Sequence, residues 1–258
     1  MREGKRILVI PDVQVKVGDD FKFLERIGRY AVDLRPDIIV QIGDFADMSS
    51  LCSHDRAGTK GLEGKRYTTD IEAAIEAMDV LTEPIRAEQK RLLASKKKMW
   101  TPEMIMCLGN HEQRIIKAIN NDPKLEGLIG LHDLGYEVFG WDVYDFLEPV
   151  ERCGIVFVHY LISGVMGKAC TSAKAMLGKA HQSIVVGHQQ GRDIAYARQA
   201  NGKNMTAIIA GSCYEHDEPY LNKQSNNHWR GVYVLFDCHD GEFDELPVSL
   251  NYLERKYK

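Results

Sequence analysis

Up to residue 190 the chain alternates short apolar runs with amphipathic stretches, and the apolar runs end on small polar clusters. Ile7–Ile10 runs into Pro11-Asp12-Val13-Gln14, and Ile38–Ile42 into Gly43-Asp44. Met104–Leu108 runs into Gly109-Asn110-His111-Glu112, Ile155–Val158 into His159-Tyr160, and Ile184–Val186 into Gly187-His188-Gln189-Gln190. Apolar runs this short, rich in Ile and Val, predict buried strands rather than helices. Between them the period lengthens. Phe23, Leu24, Ile27, Ala31 and Leu34 share one face of a helix over Asp20–Leu34, with Asp19 or Asp20 as N-cap and Arg35-Pro36 as its stop. Strand, helix and strand in this order predict a right-handed crossover between parallel neighbours.

Thr69 or Asp70 opens a long helix with Ile71, Ala74, Ile75, Met78 and Leu81 in a stripe, and Pro84 is expected to kink or break it near Thr82-Glu83. Two shorter helices are predicted over Gln113–Asn120, with Ile115, Ile116 and Ile119 inward, and over Thr171–Lys179, capped by Thr171. Trp141–Leu147 reads as a strand, while residues 124–140 carry no clear period. Beyond Gln190 the pattern turns to hairpins: Ile194–Ala197, Met205–Ala210, Val232–Phe236 and Phe243–Val248, with a turn at Asp240-Gly241. The mixed-charge tail Leu250–Lys258 is expected along a sheet edge. Helices early and hairpins late predict two sheets packed face to face with helices outside. No repeat or linker divides the chain, so residues 1–258 are expected to form one domain.

Composition changes this picture little. With 258 residues, 44% of them hydrophobic, the chain can bury a sizeable core. A net charge of −4 gives no global attraction to nucleic acid or anionic lipid, so any polyanion site must be a local patch. No run nears the roughly 20 apolar residues of a membrane span, Met1–Arg6 does not read as a leader, and the six cysteines show no Cys-x-x-Cys pair. A cytoplasmic protein with reduced thiols and no membrane partner is expected.

The chemistry lies at the strand ends, where open α/β sheets collect their ligands. They deliver Asp12, Asp44, Asn110, His159 and His188, with Gln14 and Gln190 beside them. These are oxygen and imidazole donors of the kind that hold Mn, Fe or Zn. The order Asp-x-x, Gly-Asp, Gly-Asn-His-Glu, a lone His and Gly-His-x-x resembles the calcineurin-like metallophosphoesterases. The wording Phe45-Ala46-Asp47-Met48 and His228-Trp229-Arg230-Gly231 resembles the subset encoded by bacteriophages.

The resemblance implies a four-layer α-β-β-α sandwich of the α/β class that hydrolyses phosphoesters with one or two divalent cations. It implies one ligand set of Asp44, Asn110, His159 and His188, and a second of Asp12, Gln14, Asp44 and Gln190, with Asp44 shared. It casts His111 as the catalytic group that steadies the phosphoryl oxygens or protonates the leaving group. The chain departs from the commonest pattern at Gln14 and Gln190, where that pattern has histidine. Carbonyl oxygens there favour Mn or Mg over Fe, Zn or Ni and predict a weaker second metal. The opposing reading is a decayed site in a non-catalytic metal-binding module.

The residues after Gly43-Asp44 narrow the substrate. Phe45-Ala46-Asp47-Met48-Ser49 lacks the arginine of the family's protein phosphatases. The aperiodic segment from Met48 to Thr69 is expected to hang over the site, with Arg56, Lys65 and Arg66 on phosphate oxygens beside Tyr67, and Arg114 as a further contact. A phosphodiesterase or nuclease acting on DNA, RNA or nucleotides is the favoured reading, with a phosphomonoesterase as the alternative. His54, His132, His181 and His239 are expected at the surface. Tyr214-Glu215-His216-Asp217 and His228-Trp229 lie in late loops that return toward the site.

Overall fold

The apolar runs become the central strands of two sheets in the computed structural model, which describes residues 4–52, 62–218 and 221–258. In the first sheet β1 (Lys5–Ile10), β2 (Ile38–Gln41), β3 (Glu103–Cys107) and β4 (Asp142–Tyr144) run parallel in that order. The second holds β5 (Val150–Arg152), β6 (Ile155–Val158), β7 (Ile184–Val186), β8 (Arg192–Arg198) and β9 (Asn204–Ala210), in the order β5-β6-β7-β9-β8. The late hairpin β10 (Gly231–His239) and β11 (Glu242–Ser249) returns to the first sheet, where β10 pairs antiparallel with β1.

Strand alternation sorts the core into three slabs. Ile7, Val9, Ile38, Val40 and Ile105 meet Phe157, Val185 and Ile208 between the sheets. Leu8, Ile10, Ile39, Met104 and Met106 face the other way. There they meet α1 (Lys22–Leu34) and α2 (Tyr67–Ala94), with Ile115 of α3 (Gln113–Asn121) in the same cluster. Behind the second sheet, Val158, Ile184, Val186, Ala207 and Ile209 pack on Ala173, Met176 and Leu177 of α4 (Ala173–Ala180). The order is the α-β-β-α sandwich expected. No described helix is long and apolar enough to cross a membrane.

Several local expectations are corrected. The long helix starts at Tyr67 and runs through Pro84 unbroken to Ala94. Pro84 removes one backbone donor, but packing holds the turn: Thr82 Oγ1 bonds the Met78 carbonyl at 2.7 Å. Gly28 brings α1 so close that a Cβ there would lie 3.0 Å from Pro84 Cγ. The buried stripe of α2 uses Ala73, Ala77 and Ile85, while Ile75 is exposed. In α3 only Ile115 is fully buried, with Ile116 and Ile119 at its margin. Phe21 rather than an aspartate stands at the N-cap of α1, although Asp20 accepts from the Lys22 N–H at 3.0 Å. Ser172 caps α4 in place of Thr171.

Residues 124–140 lacked a period because they fold as short 3-10 turns, Pro123–Leu125, Leu131–Leu134 and Tyr136–Phe139. Of Trp141–Leu147 only β4 is strand. The short helix α5 (Lys223–Asn226) precedes β10, and the C-terminal tail forms α6 (Leu250–Lys256), which follows the edge strand β11 and packs on it and on α1. Ser249 caps it, Leu250 and Leu253 enter the helix-side core, and Lys256 Nζ meets Asp33 of α1 at 2.9 Å.

Candidate metal centre

Three of the strand-end residues hold left-handed backbone: Gln14 at φ 49°, Asp44 at φ 53° and His188 at φ 66°. Such conformations cost about 1 to 3 kcal/mol each and persist only where the surroundings fix them. Here the loops fasten one another. The N–H groups of Val13 and Gln14 donate to the Asp44 carbonyl at 3.0 and 2.8 Å, and Gly187 N–H to the His159 carbonyl at 3.0 Å. Gly43, at φ 98°, lets the His159 ring sit where a Cβ would fall 2.5 Å from Nδ1.

Asp44, His159 and His188 each offer one ligand atom, all within 4.8 Å of one another. Asn110 Oδ1 lies among them, 3.0 Å from His159 Nε2 and 2.7 Å from His188 Nδ1, and Asp44 Oδ2 is 3.4 Å from His159 Nε2. His159 Nδ1 faces the Ile42 carbonyl at 2.9 Å, which can only accept, so Nδ1 carries the hydrogen of the neutral ring. The Nε2 lone pair then points at two oxygens. Lone pairs converging in a buried site repel unless a proton or a cation stands between them, and this donor set fits a divalent transition metal.

The second set is less completely assembled. Asp12 Oδ1 accepts from the His188 N–H at 2.9 Å. Asp12 Oδ2 and Gln14 Oε1 are buried without a hydrogen-bond partner among the described residues. Orphaned buried oxygens of this kind fit a hard cation. Gln190 Oε1 accepts from the Tyr214 hydroxyl. The segment carrying Tyr214 is bound to the Asp12 loop, since Cys213 N–H donates to the Asp12 carbonyl at 2.7 Å.

Charge within the cluster is strongly redistributed. Burial pushes the Asp12 carboxyl up to about 7, against the pull of His159. Burial also acts on Asp44, but His111 and His159 outweigh it and hold that carboxyl below the usual range. His159 is driven down by burial and further up by Asp44, to about 9, whereas burial and the neighbouring His159 push His188 down to about 4. The two imidazoles thus split into a proton holder and a free lone-pair donor when no cation is bound.

His111 stands beside the cluster. Its N–H donates to Asp44 Oδ1 at 2.9 Å, its Nδ1 lies 2.8 Å from Asp47 Oδ1, and its Nε2 is 3.6 Å from Asp44 Oδ2. Arg114 is no free surface cation: Nη1 donates to the Asp47 carbonyl at 2.6 Å and Nη2 lies 3.2 Å from His111 Nε2. Asp47 and Glu112 sit inside the motifs, yet the pattern of the chain gives neither a role. An aspartate amid apolar Phe45, Ala46 and Met48 was the available signal for the first. Glu112, fully buried, accepts from the N–H groups of Asp44, Ala46 and Gly109 at 3.1, 2.9 and 2.8 Å.

Arg56 lies outside the described residues, as does His54. Lys65 and Arg66 stand at the foot of α2, where the exposed Arg66 bonds the Lys65 carbonyl at 2.9 Å. The Tyr67 hydroxyl is engaged by Asp133 Oδ2 at 2.6 Å. His132, His181 and His239 are exposed, as expected.

The late loops do return toward the centre. His216 stacks on Tyr214 at 4.5 Å and reaches Asp19 and Glu218 at 3.2 and 2.8 Å, and Lys16 Nζ meets Glu218 at 2.6 Å. Burial lowers the His216 pKa, but Asp19 and Glu218 outweigh it and raise it above the ordinary value; burial raises that of Glu218, but His216 and Lys16 outweigh it. The histidine contribution to stability is therefore full below about pH 6.5 and lost as pH rises through its raised pKa. That of Glu218 is lost as pH falls through its lowered one. In an NMR titration the His216 ring is expected to have a midpoint above about 6.5, and Glu218→Gln to lower it. A midpoint unmoved by that substitution would remove the ion pair from the account.

Two facing sheets with the buried Asp44 and His159 and the half-buried His188 and Asn110 gathered at their strand ends are the frame of a metal-dependent phosphoester hydrolase. The chain belongs to the calcineurin-like phosphoesterase family, whose sequence model matches residues 5–211. It is also similar to the Gene 54 protein of Mycobacterium phage L5, at 24% identity over 250 residues that cover 93% of this chain and 91% of the relative.

Proposed function

We propose that this single-domain protein is a phosphodiesterase or nuclease that hydrolyses nucleic acid or nucleotides with Mn as its preferred metal, in the cytoplasm of a bacterial host. The observation carrying the proposal is the gathering of His159 and His188 with Asn110 and Asp44, beside which the resemblance implies a second set of oxygens from Asp12, Gln14, Gln190 and Asp44. The first group suits Mn, Fe or Zn, and an all-oxygen set suits Mn or Mg. Mn satisfies both. Divalent cations held there would supply positive charge for the phosphoryl oxygens and would make a bound water more acidic.

The chain's own residues do the rest. Asp47 takes the Nδ1 side of His111 and leaves Nε2, 3.6 Å from Asp44 Oδ2, as the nitrogen that would meet the phosphoryl group. Burial lowers the His111 pKa, but Asp44 and Asp47 together raise it, against Arg114. Arg114, 3.2 Å from Nε2, would meet a phosphoryl oxygen bound beside His111. The missing arginine after Gly43-Asp44 speaks against phosphoproteins.

The test is a panel of Mn, Mg, Zn and Ni against a bis-aryl phosphate, a mono-aryl phosphate and DNA. Cleavage of the diester and DNA, best with Mn and abolished by chelator, is expected. Preference for the monoester would replace the diesterase reading, and metal binding without hydrolysis of either would leave a non-catalytic module.

A further inference from the structure

We propose that Tyr160 and Phe146 form a stacking platform for an unpaired nucleobase next to the scissile phosphate, the base being held against aromatic rings while the phosphate sits on the metal centre. The proposal rests on the diesterase reading above. In the sequence Tyr160 follows His159 directly, after an apolar run whose end gives a role to the histidine alone. Phe146 comes two residues beyond the end of β4, and Tyr160 two beyond that of β6, so both residues stand at the strand ends that carry the metal ligands. A nucleobase is one sugar away from its phosphate. A platform for it therefore has to adjoin the ligands themselves.

Tyr160 does adjoin them. Its ring centroid lies 4.6 Å from that of His188 and 5.7 Å from that of His159. Phe146 meets it at 5.6 Å with planes 77° apart, and itself lies 6.3 Å from the His159 ring. Edge-to-face packing of this kind fixes two rings at a corner and leaves at least one face of each uncovered by the other. The core does not account for Tyr160. The ring is half-buried yet joins none of the three apolar slabs. Its hydroxyl makes no hydrogen bond to any described residue, where a tyrosine serving the interior would find a partner. Phe146 supplies the fixed wall, resting on the helix-side core while part of its own surface stays accessible. Bases stack on such rings whatever their identity, since each has a π face, whereas a base within a duplex has both faces covered by its neighbours. The platform therefore favours single strands, strand ends and nucleotides, with little preference among bases.

The experiment compares thymidylate with deoxyribose phosphate, monophosphates that differ only in the base, as ligands of the Mn-loaded full chain in calorimetry. Wild type is expected to bind thymidylate about 5- to 150-fold more tightly. Tyr160→Phe should keep that preference. Tyr160→Leu, which fills much of the same space against His188 without a π face, should lose most of it, and Phe146→Leu should lower it in part. Affinity for the sugar phosphate and for Mn should be unchanged in each variant. Equal affinities for the two monophosphates in wild type would overturn the proposal. So would a Tyr160→Leu protein that binds both ligands more weakly by the same factor or that loses Mn, since the ring would then only pack on His188. Cleavage of a thymidine dinucleotide is read on the same preparations. Failure of wild type to cleave it removes the diesterase reading on which the proposal rests, whereas cleavage with equal monophosphate affinities removes the platform alone.

Discussion

His111→Ala is expected to lower kcat by roughly 10²- to 10⁴-fold, with bound metal unchanged when measured by elemental analysis on the same preparation. The two readouts separate two roles that sequence alone leaves entangled, since His111 follows directly on Asn110. In the structure the side chain is held by Asp47 beside the gathering of Asn110, His159 and His188. Its Nδ1 is taken by Asp47 at 2.8 Å, and its Nε2 stands 3.6 Å from Asp44 Oδ2. The effect belongs to the chemical step, so KM for a bis-aryl phosphate should move far less than kcat. Loss of a metal equivalent along with activity would make His111 a ligand and overturn the acid role. Unchanged turnover would make it a turn residue held by Asp47.

How much of this was legible in the chain differs between levels. The strands were, because five buried runs of three to five residues admit little else, and each delivered its polar cluster to the end of a strand. Asp44, Asn110, His159 and His188, which the structure brings together, each follow such a run. What was missed lies in tertiary packing. Pro84 sits inside α2 because contact with α1 at Gly28 stabilises a turn that local propensity disfavours. The tail reads as mixed charge because Leu250 and Leu253 alone face the core, too few to set a period, yet they suffice once Ser249 caps the helix. Asp47 and Glu112 act on other side chains and on backbone rather than on a ligand. A one-dimensional pattern shows residue type and spacing, and Glu112 differs there in no way from an ordinary first-turn glutamate.

That difference can be measured. Glu112→Ala is expected to destabilise the metal-free protein by about 3 kcal/mol or more, because a donor buried without its acceptor costs on the order of 1 to 3 kcal/mol and Glu112 serves three backbone donors. Set against a typical total of roughly 5 to 15 kcal/mol, the loss should be plain in denaturant unfolding. An exposed first-turn glutamate would cost within about 0.5 kcal/mol. Glu112→Gln distinguishes the hydrogen bonds from side-chain volume. One carboxylate oxygen serves Asp44 and Gly109, the other Ala46 and the Tyr136 hydroxyl at 3.3 Å. A carboxamide must turn its NH2 toward one of these pairs. The tyrosine hydroxyl can reverse and accept, but the Ala46 N–H cannot, so the least costly arrangement still orphans one donor and loses about 1 to 3 kcal/mol. Metal affinity should fall in both variants, since Asp44 and Gly109 are the loop positions that Glu112 ties together. A Glu112→Gln protein as stable as wild type, with metal bound as tightly, would mean that the Gly43-Asp44 and Gly109-Asn110 loops hold their shape without this carboxylate.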